Sequence, residues 1–383
     1  MRPAPVYVDH AATSPVRPEA VEAVTAALRL GGNASSVHAA GRAARDLIER
    51  ARADVAALVA ADAERLIFTS GGVEADNLAI TSAVAKGARR LLIGATEHPG
   101  VTVAARATGL PVEVVPVNAE GEADLDWLHD RLAHWEAADG RPFVALMLAN
   151  NETGVLHPIA RAAALVRAAR GWLHVDAVAA IGKVAVDMDA LAADTLAVSA
   201  HKIGGPQGVG ALAWSERVEP VRALHGGGHE RGFRSGTENT PGVAGFAAAA
   251  RAAVRDLPHA VEQARWRDAA AARLQAAGVR VAGEGAVRTP TTLSIATRDL
   301  SSQLQVMGLD LEGVMVSAGS ACASGKIKPS GVLEAMGFGS AAAGALRASG
   351  GWNTTESDWA RFADAWLAVH ARATQRARTP EFA

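Results

Sequence analysis

The feature that most constrains the fold is an alternation between short apolar segments and alanine-rich segments, which runs through roughly residues 20–250. The apolar segments are rich in β-branched residues, and the alternation is typical of βα units in which helices cover a mostly parallel sheet. The predicted strands are Leu66–Thr69, Leu91–Ala95, Val112–Val117, Phe143–Leu148, Leu173–Asp176, Thr195–Ser199 and Val209–Trp214. The predicted helices between most of them are Ala44–Ala60, Glu74–Ala85, Val101–Ala107, Leu125–Ala137 and Ile159–Ala169. We therefore expect an α/β fold around one large sheet.

The pattern changes in the last third of the chain. From about Pro241 to Ala277 it becomes long alanine-rich helix, with a break predicted at Pro258. A strand-like segment TTLSIAT, a Gly/Ser-rich segment SAGSACASGK and a last helix near Ser357–Thr374 follow, which suits a smaller α+β domain. We therefore expect a large sheet domain over residues 17–255, and a small domain formed by residues 1–16 and 256–383.

Composition excludes several classes of protein. Of the 383 residues, 49% are hydrophobic, and the formal net charge is −2, so neither nucleic acid nor an anionic membrane is expected as the main partner. The chain has one cysteine, Cys322, so it forms no disulfide within itself and no metal site of the CxxC type. We see no apolar signal segment and no apolar stretch long enough to span a bilayer, and we expect a cytoplasmic protein.

Ligands of open α/β sheets bind at the carboxyl ends of strands, so the residues that follow each predicted strand are candidates. SGGVEADN follows the first strand, and its glycines and helix N-terminus would suit a phosphate, although a tight turn is the alternative. Asp176 ends an apolar strand, where a carboxylate needs a positive partner or caps a helix. Lys202 follows another strand beside Ser199 and His201, and a surface charge is its alternative.

Together these strand ends supply an anion site, a carboxylate and an amine. Pyridoxal phosphate needs all three, since its phosphate, its pyridine nitrogen and its aldehyde each require a partner. Two further candidates follow strands. His98 in TEHPGV could stack on a flat ring and move protons, or be a structural histidine. Asn151 in ANNETG could contact the cofactor or cap its loop.

Two candidates lie in the last third of the chain. Cys322 is surrounded by small residues in SAGSACASG, which suits a reactive thiolate, with a structural cysteine as the alternative. Arg347 in ALRAS could bind a substrate carboxylate with its guanidinium fork.

Several motifs, taken in order, resemble those of the cysteine desulfurases of the NifS and IscS type, a branch of the class V, fold-type I enzymes that use pyridoxal phosphate. The resemblance extends over nearly the whole chain. It rests on VDHAATSPVRPEA, GGNASSVHAAGRAAR, FTSGGVEADNLAI, TEHPGV, ANNETGVLHPI, HVDAV, SAHKIGGPQGVGAL, GGGHERGFRSGTENT and SAGSAC.

The resemblance implies a role for each candidate around the cofactor. Lys202 would form the Schiff base, Asp176 would pair with the pyridine nitrogen, and His98 would stack on the ring. The phosphate would lie at Gly72 and Val73 with Ser199 and His201, joined by Thr237 of a second subunit in a homodimer. These last contacts belong to the family pattern and are expected here on that ground.

The resemblance also implies the reaction. L-cysteine would be converted to L-alanine, with Arg347 holding its carboxylate, Asn151 contacting cofactor and substrate, and Cys322 accepting the sulfur as a persulfide. The length of the segment after Cys322 resembles the IscS-like subgroup, which passes sulfur to iron–sulfur scaffold proteins. A sulfur acceptor of that kind, or one that makes a thio-cofactor, is the expected protein partner.

The chain departs from the family pattern at four positions. Val73 stands where threonine is usual, which removes one hydroxyl, and Ala179 stands where glutamine is usual, which removes an amide donor. His229 and His10 replace glutamine and asparagine, and the sequence gives no account of either. Two alternatives therefore stay open: a related lyase or class V transaminase with another substrate, and a catalytically weak partner protein in sulfur transfer.

Overall fold

The computed structural model describes residues 4–222, 224–319 and 329–378, and the strands in these residues form three sheets. In chain order the strands are β1 (Val6–Tyr7), β2 (Leu66–Thr69), β3 (Leu91–Gly94), β4 (Val112–Val115), β5 (Phe143–Ala145), β6 (Trp172–Asp176), β7 (Thr195–Ser199), β8 (Gly210–Trp214), β9 (Arg280–Val281), β10 (Thr292–Ala296), β11 (Val314–Met315), β12 (Ser317–Ala318) and β13 (Ala345–Ser349).

The α-helices pack against the large sheet and around the two smaller sheets. They are α1 (Pro18–Leu30), α2 (Ala39–Leu58), α3 (Gly72–Ala85), α4 (Pro99–Ala107), α5 (Leu125–Ala133), α6 (Ile159–Ala168), α7 (Met188–Leu191), α8 (Thr240–Arg255), α9 (Leu257–Gln275), α10 (Ser302–Leu311), α11 (Gly331–Ala335) and α12 (Glu356–Arg378). None of the helices in the described residues is long and apolar enough to cross a membrane.

The large sheet has seven strands in the order β2-β8-β7-β6-β5-β3-β4. Only β8 runs against its neighbours, and β2, β7, β6, β5, β3 and β4 all point the same way. The predicted seven strands and the mostly parallel α/β fold are confirmed. Because six strands share one direction, their carboxyl ends meet at one edge, which is where a ligand site is expected.

The small sheet follows the order β12-β13-β10-β9 and is antiparallel throughout. Its apolar side packs with α9, α10 and α12. Three aromatic residues of α12 are fully buried there: Trp359, Phe362 and Trp366. β1 pairs in parallel with β11, so the first residues of the chain join this part of the protein. The buried apolar residues of the large sheet and those of the small sheet form separate clusters. This separation supports the division at residues 17 and 256, which stays a prediction.

Several predicted boundaries differ from the structure, and helix capping explains the ones at the site. The prediction began α3 at Glu74, yet the helix begins at Gly72 and the Glu74 carboxylate reaches back to accept the Ser70 N–H at 2.6 Å. It began α4 at Val101, yet the helix begins at Pro99 because the His98 ring caps it. The break predicted at Pro258 falls two residues earlier, at Asp256, because proline is tolerated in the first turn of α9.

Candidate active site

A cavity of about 480 Å³ lies at the carboxyl ends of the parallel strands. Residues that follow β2, β3, β5, β6 and β7 form most of its wall, and residues of the N-terminal segment and of the small sheet close it. Its lining includes Ala11, Gly72, Val73, Asp76, Glu97, His98, Asn151, Glu152, Asp176, Ala179, Ser199, His201, Lys202, Gly319 and Arg347. Of the predicted site residues that the structure describes, all but Thr237 line this cavity.

The N-terminus of α3 forms one end of the cavity. The first backbone N–H groups of a helix have no partner within the helix, and its dipole is positive at this end, so the position suits an anion. Gly72 packs closely here, since a Cβ on it would lie 2.6 Å from Cγ2 of Val178, and Ser199 is a further neighbour, with its Cβ 3.8 Å from that position. The close approach of Ser199 brings a hydroxyl to the same end of the cavity.

Lys202 lies beside this end, in the short 3-10 helix Ala200–Ile203 that follows β7. Its Nζ donates hydrogen bonds to the carbonyl oxygens of Ala11 and Ala12, the second at 3.0 Å. Neighbouring His201 has Nδ1 3.2 Å from Oγ1 of Thr13. Burial, followed by the charges of Lys202 and a second lysine, lowers the pKa of His201 to about 4. His201 is therefore neutral at pH 7 and offers hydrogen bonds rather than charge.

Part of the cavity wall is acidic. Asp176 ends β6 and accepts the Val178 N–H at 2.8 Å. Burial and the nearby Asp76 raise the pKa of Asp176 to about 7, and burial raises the pKa of Asp76 to about 7. Burial, followed by the charge of Asp176, raises the pKa of Glu97 well above its usual range, and one of its oxygens, Oε2, has no partner among the described residues. Buried acids of this kind require a positive group in the cavity if more than one is to be ionised.

A chain of buried hydrogen bonds fixes Asp76. The Trp172 Nε1–H donates to Oγ1 of Thr195 at 3.1 Å, and Oγ1 lies 3.0 Å from Nδ1 of His174. The other ring nitrogen, Nε2, lies 3.1 Å from Oδ1 of Asp76. Burial lowers the pKa of His174 to about 4, so the ring is neutral and its single proton serves one of these two contacts. This series of hydrogen bonds holds Asp76 at the cavity wall, and the neutral His174 ring brings no positive charge to it.

His98 also lines the cavity. Its side chain caps α4, with Nδ1 accepting the Gly100 N–H at 3.0 Å. This contact leaves Nε2 to carry the proton in the neutral ring. The predicted position of His98 after β3 is therefore correct, and the cap fixes which ring nitrogen acts as the acceptor.

Arg347 lies on β13 of the small sheet and is 2% exposed. It donates from Nη2 to Oδ1 of Asp9 at 3.0 Å and from Nη1 to the Asn151 carbonyl at 3.0 Å. The second oxygen of Asp9 accepts the Ser317 hydroxyl at 2.7 Å. The Nε atom of Arg347 is buried and has no partner among the described residues. The guanidinium is thus held in place and keeps a donor for a further acceptor.

One predicted site residue lies away from the cavity, and another falls outside the described residues. Thr237 is exposed and lines a separate cavity of about 150 Å³ near Thr69 and Arg234. Cys322 lies in residues 320–328, outside the described residues. Gly319 and Val332, on either side of that segment, line the cavity.

The sequence analysis missed several polar residues of the site. Asp76, Glu97 and Glu152 line the cavity, whereas Asp9 and Lys183 act on residues that line it. Asp76 and Glu97 could have been found, since Asp76 is one turn into α3 and Glu97 directly precedes His98. Asp9 could not, because its partner Arg347 lies 338 residues away in the sequence.

Comparison with known proteins assigns this chain to a family. The profile of the Aminotransferase class-V family matches residues 6–362, so the chain belongs to that family. A cysteine desulfurase of Sinorhizobium fredii is 39% identical to the chain, over 92% of this chain and 93% of that protein. An IscS-like cysteine desulfurase of Mycobacterium tuberculosis is 37% identical, over 97% of each.

Solved structures agree with this assignment. The NifS-like protein of Rickettsia africae superposes with a TM-score of 0.87 at 29% identity, over 96% of this chain and 99% of that one. A cysteine desulfurase of Thermococcus onnurineus, at 24% identity and a TM-score of 0.84, shares the fold. The resemblance stated from the sequence motifs is therefore confirmed.

Proposed function

We propose that this protein is a pyridoxal-phosphate-dependent cysteine desulfurase, which converts L-cysteine to L-alanine and takes the sulfur onto Cys322. One observation carries the proposal: Lys202, the buried Asp176 and the N-terminus of α3 face one cavity, in a chain whose relatives are cysteine desulfurases. Alanine formed from L-cysteine by the cofactor-loaded protein, in the presence of a thiol reductant, tests it. Absence of alanine would contradict it.

The residues present fit the proposed cofactor. The α3 N-terminus with Ser199 suits its phosphate, and Gly72, without a Cβ, lets Val178 pack against the start of the helix. Asp176, a buried carboxyl whose pKa is raised by burial and by the nearby Asp76, suits a protonated pyridine nitrogen. His98 would stack on the ring, and Lys202 would bind its aldehyde. When bound, the cofactor supplies an electron sink for the bonds at the α-carbon of the substrate.

The chain's own residues would do the rest of the chemistry. Arg347, held by Asp9 and by the Asn151 carbonyl, would bind the substrate carboxylate and orient its α-carbon. The Lys202 nitrogen would take the proton from that carbon. The Cys322 thiolate would then attack the sulfur of the substrate. A bond forms between the two sulfur atoms, the substrate C–S bond breaks, and its electron pair stays with the carbon. That carbon takes up a proton to become the methyl group of alanine, and the α-carbon regains the proton held by Lys202.

The proposal includes partners. A homodimer in which Thr237 reaches the phosphate of the other subunit would account for the exposed position of Thr237 away from its own cavity. A persulfide on Cys322 requires an acceptor, and we propose a scaffold protein of iron–sulfur cluster assembly or a protein that makes a thio-cofactor. The proposed site of action is the cytoplasm.

The departure at Val73 gives a prediction on cofactor binding. Val73 is in the first turn of α3, lines the cavity and is 50% exposed, so a threonine of the same shape fits there. Val73→Thr is expected to tighten pyridoxal phosphate binding about fivefold, since one net hydrogen bond contributes about 1 kcal/mol. Equilibrium titration of the cofactor into the stripped protein measures this. Val73→Ala, which adds no hydroxyl, is the control, and equal affinity of the Thr variant and the parent would contradict the assignment.

A second prediction concerns the substrate carboxylate. Arg347→Lys keeps a positive charge and loses the planar fork, so the KM for L-cysteine is expected to rise roughly 10- to 100-fold, as for the loss of a charged hydrogen bond. The kcat should fall less than the KM rises, because the reacting groups stay in place. Steady-state kinetics measure both, and an unchanged cofactor absorption spectrum shows that the site is intact. An unchanged KM would contradict the role of Arg347.

A further inference from the structure

Lys183 is a buried lysine that the proposed mechanism does not use. It lies in the turn after β6, is 5% exposed, and donates from Nζ to the carbonyl oxygen of Ala179 at 2.9 Å. Within the ranges that the structure describes, no carboxylate forms an ion pair with it and none raises its pKa. A buried ammonium group without a counter-ion is unfavourable, so its presence beside the site needs a reason.

Lys183 lies behind Lys202. The two lysines line a second cavity of about 20 Å³, and Lys202 also lines the large cavity. Lys202 therefore borders both cavities, and Lys183 lines only the smaller one. Lys183 sits close enough for its charge to act on the Lys202 nitrogen, and it makes no contact with the large cavity itself.

The other charged and titratable groups around Lys183 leave the local net charge positive. They come from the N-terminal segment, β7 and its turn, α9 and the small sheet: His10, Arg17, His201, Asp256, His259 and Arg347. Asp256 is already paired with Arg17 at 2.6 Å and with Arg255 at 3.0 Å. Burial is the largest cause that lowers the pKa of His10 to about 3 and that of His201 to about 4, so both are neutral at pH 7.

We infer that Lys183 is a positioning residue that acts by charge: it disfavours a proton on the Lys202 nitrogen and so keeps that nitrogen available. The inference rests on the proposed function, in which Lys202 condenses with the cofactor aldehyde with loss of water and later takes the α-proton of the substrate. Both steps need an unprotonated nitrogen. Neighbouring cations are one of the ways in which proteins obtain one from lysine.

The repulsion works in both directions. Burial, then the charges of Lys202 and Arg347, lowers the pKa of Lys183 to about 7. The two amines together therefore hold fewer protons at neutral pH than two separate lysines would. A purely structural Lys183, whose only role is to hold the Ala179 carbonyl, predicts no effect on the protonation of Lys202.

The test is a pH titration of the visible absorption of the cofactor-loaded protein without substrate, which reports protonation of the Lys202 nitrogen. In Lys183→Met the midpoint is expected to rise by about one pH unit, the shift typical of losing a nearby like charge. In Lys183→Arg, which keeps a permanent charge, the midpoint should stay at or below that of the parent. Lys183→Gln, which can still donate to Ala179, should behave like the Met variant and serves if the Met variant does not fold.

Three results would overturn the inference or its basis. An unchanged midpoint in both neutral variants contradicts the inference alone. Equal shifts in the Arg and neutral variants show that Lys183 acts through packing, and also contradict it. If borohydride reduction of the loaded parent protein fails to fix the cofactor to Lys202, the proposed function itself is wrong, and the inference falls with it.

Discussion

Replacement of Lys202 by alanine is expected to abolish the conversion of L-cysteine and to prevent covalent attachment of pyridoxal phosphate. The structure offers no second amine for this role among the residues it describes, because Lys183 does not line the large cavity. Loss of a positioned proton-transfer group alone typically lowers a rate by about 10²- to 10⁴-fold, and loss of the covalent anchor adds to this. Turnover should fall at least that far.

Two measurements check the Lys202→Ala prediction. Initial rates of alanine formation give the loss of turnover, and borohydride reduction followed by peptide mass analysis shows whether the cofactor is attached at residue 202. Lys86→Ala is the matched control, since Lys86 is an exposed lysine at the end of α3 that lies outside the cavity. A Lys202→Ala protein that keeps its turnover within tenfold of the parent would contradict the assignment.

Cys322→Ser is expected to lose sulfur transfer almost completely while keeping the cofactor. A thiol is partly ionised near neutral pH, whereas a serine hydroxyl is a poor nucleophile without a dedicated base, and serine cannot hold a persulfide. The residues proposed to bind the cofactor lie on the large sheet and its loops, so the absorption spectrum should be unchanged. Alanine formation from L-cysteine should fall to the level seen without enzyme.

The Cys322→Ser variant also separates the two reaction classes that the sequence leaves open. Sulfur abstraction from L-cysteine needs the thiolate, whereas a lyase that acts on cysteine sulfinate, or a transaminase, does not. Both substrates should therefore be assayed with the parent and the variant at equal cofactor loading. Full turnover of L-cysteine by the variant would contradict a role for Cys322 and would favour the related lyase or transaminase.

Much of the fold could be predicted because its periodicity is local. Each strand of the large sheet is an apolar run that can be recognised alone, and each lies within a few residues of its predicted bounds. The ends of strands and helices are harder to predict, because they depend on contacts outside the periodic pattern. β5 ends at Ala145 although the apolar run continues to Leu148, and α3 starts at Gly72 because the carboxylate of Glu74 reaches back.

The residues of the site also fall into those that the sequence could predict and those that it could not. Asp176, Ser199 and Lys202 could be predicted because each follows a strand and the parallel sheet brings strand ends together. Lys183 and Asp9 could not, since their importance depends on neighbours that no local pattern identifies: Lys202, which lines the cavity, and Arg347 on the small sheet. No local pattern marks a lysine that will be buried without a counter-ion.

The measurement that tests the account most directly is a single turnover of the cofactor-loaded protein with L-cysteine and no reductant, in which alanine and protein-bound sulfur are both counted. We expect one alanine and one additional sulfur atom for each active site, with the added mass on the peptide that contains Cys322. Alanine without sulfur on that peptide, or sulfur release without alanine, would contradict a desulfurase that works through Cys322.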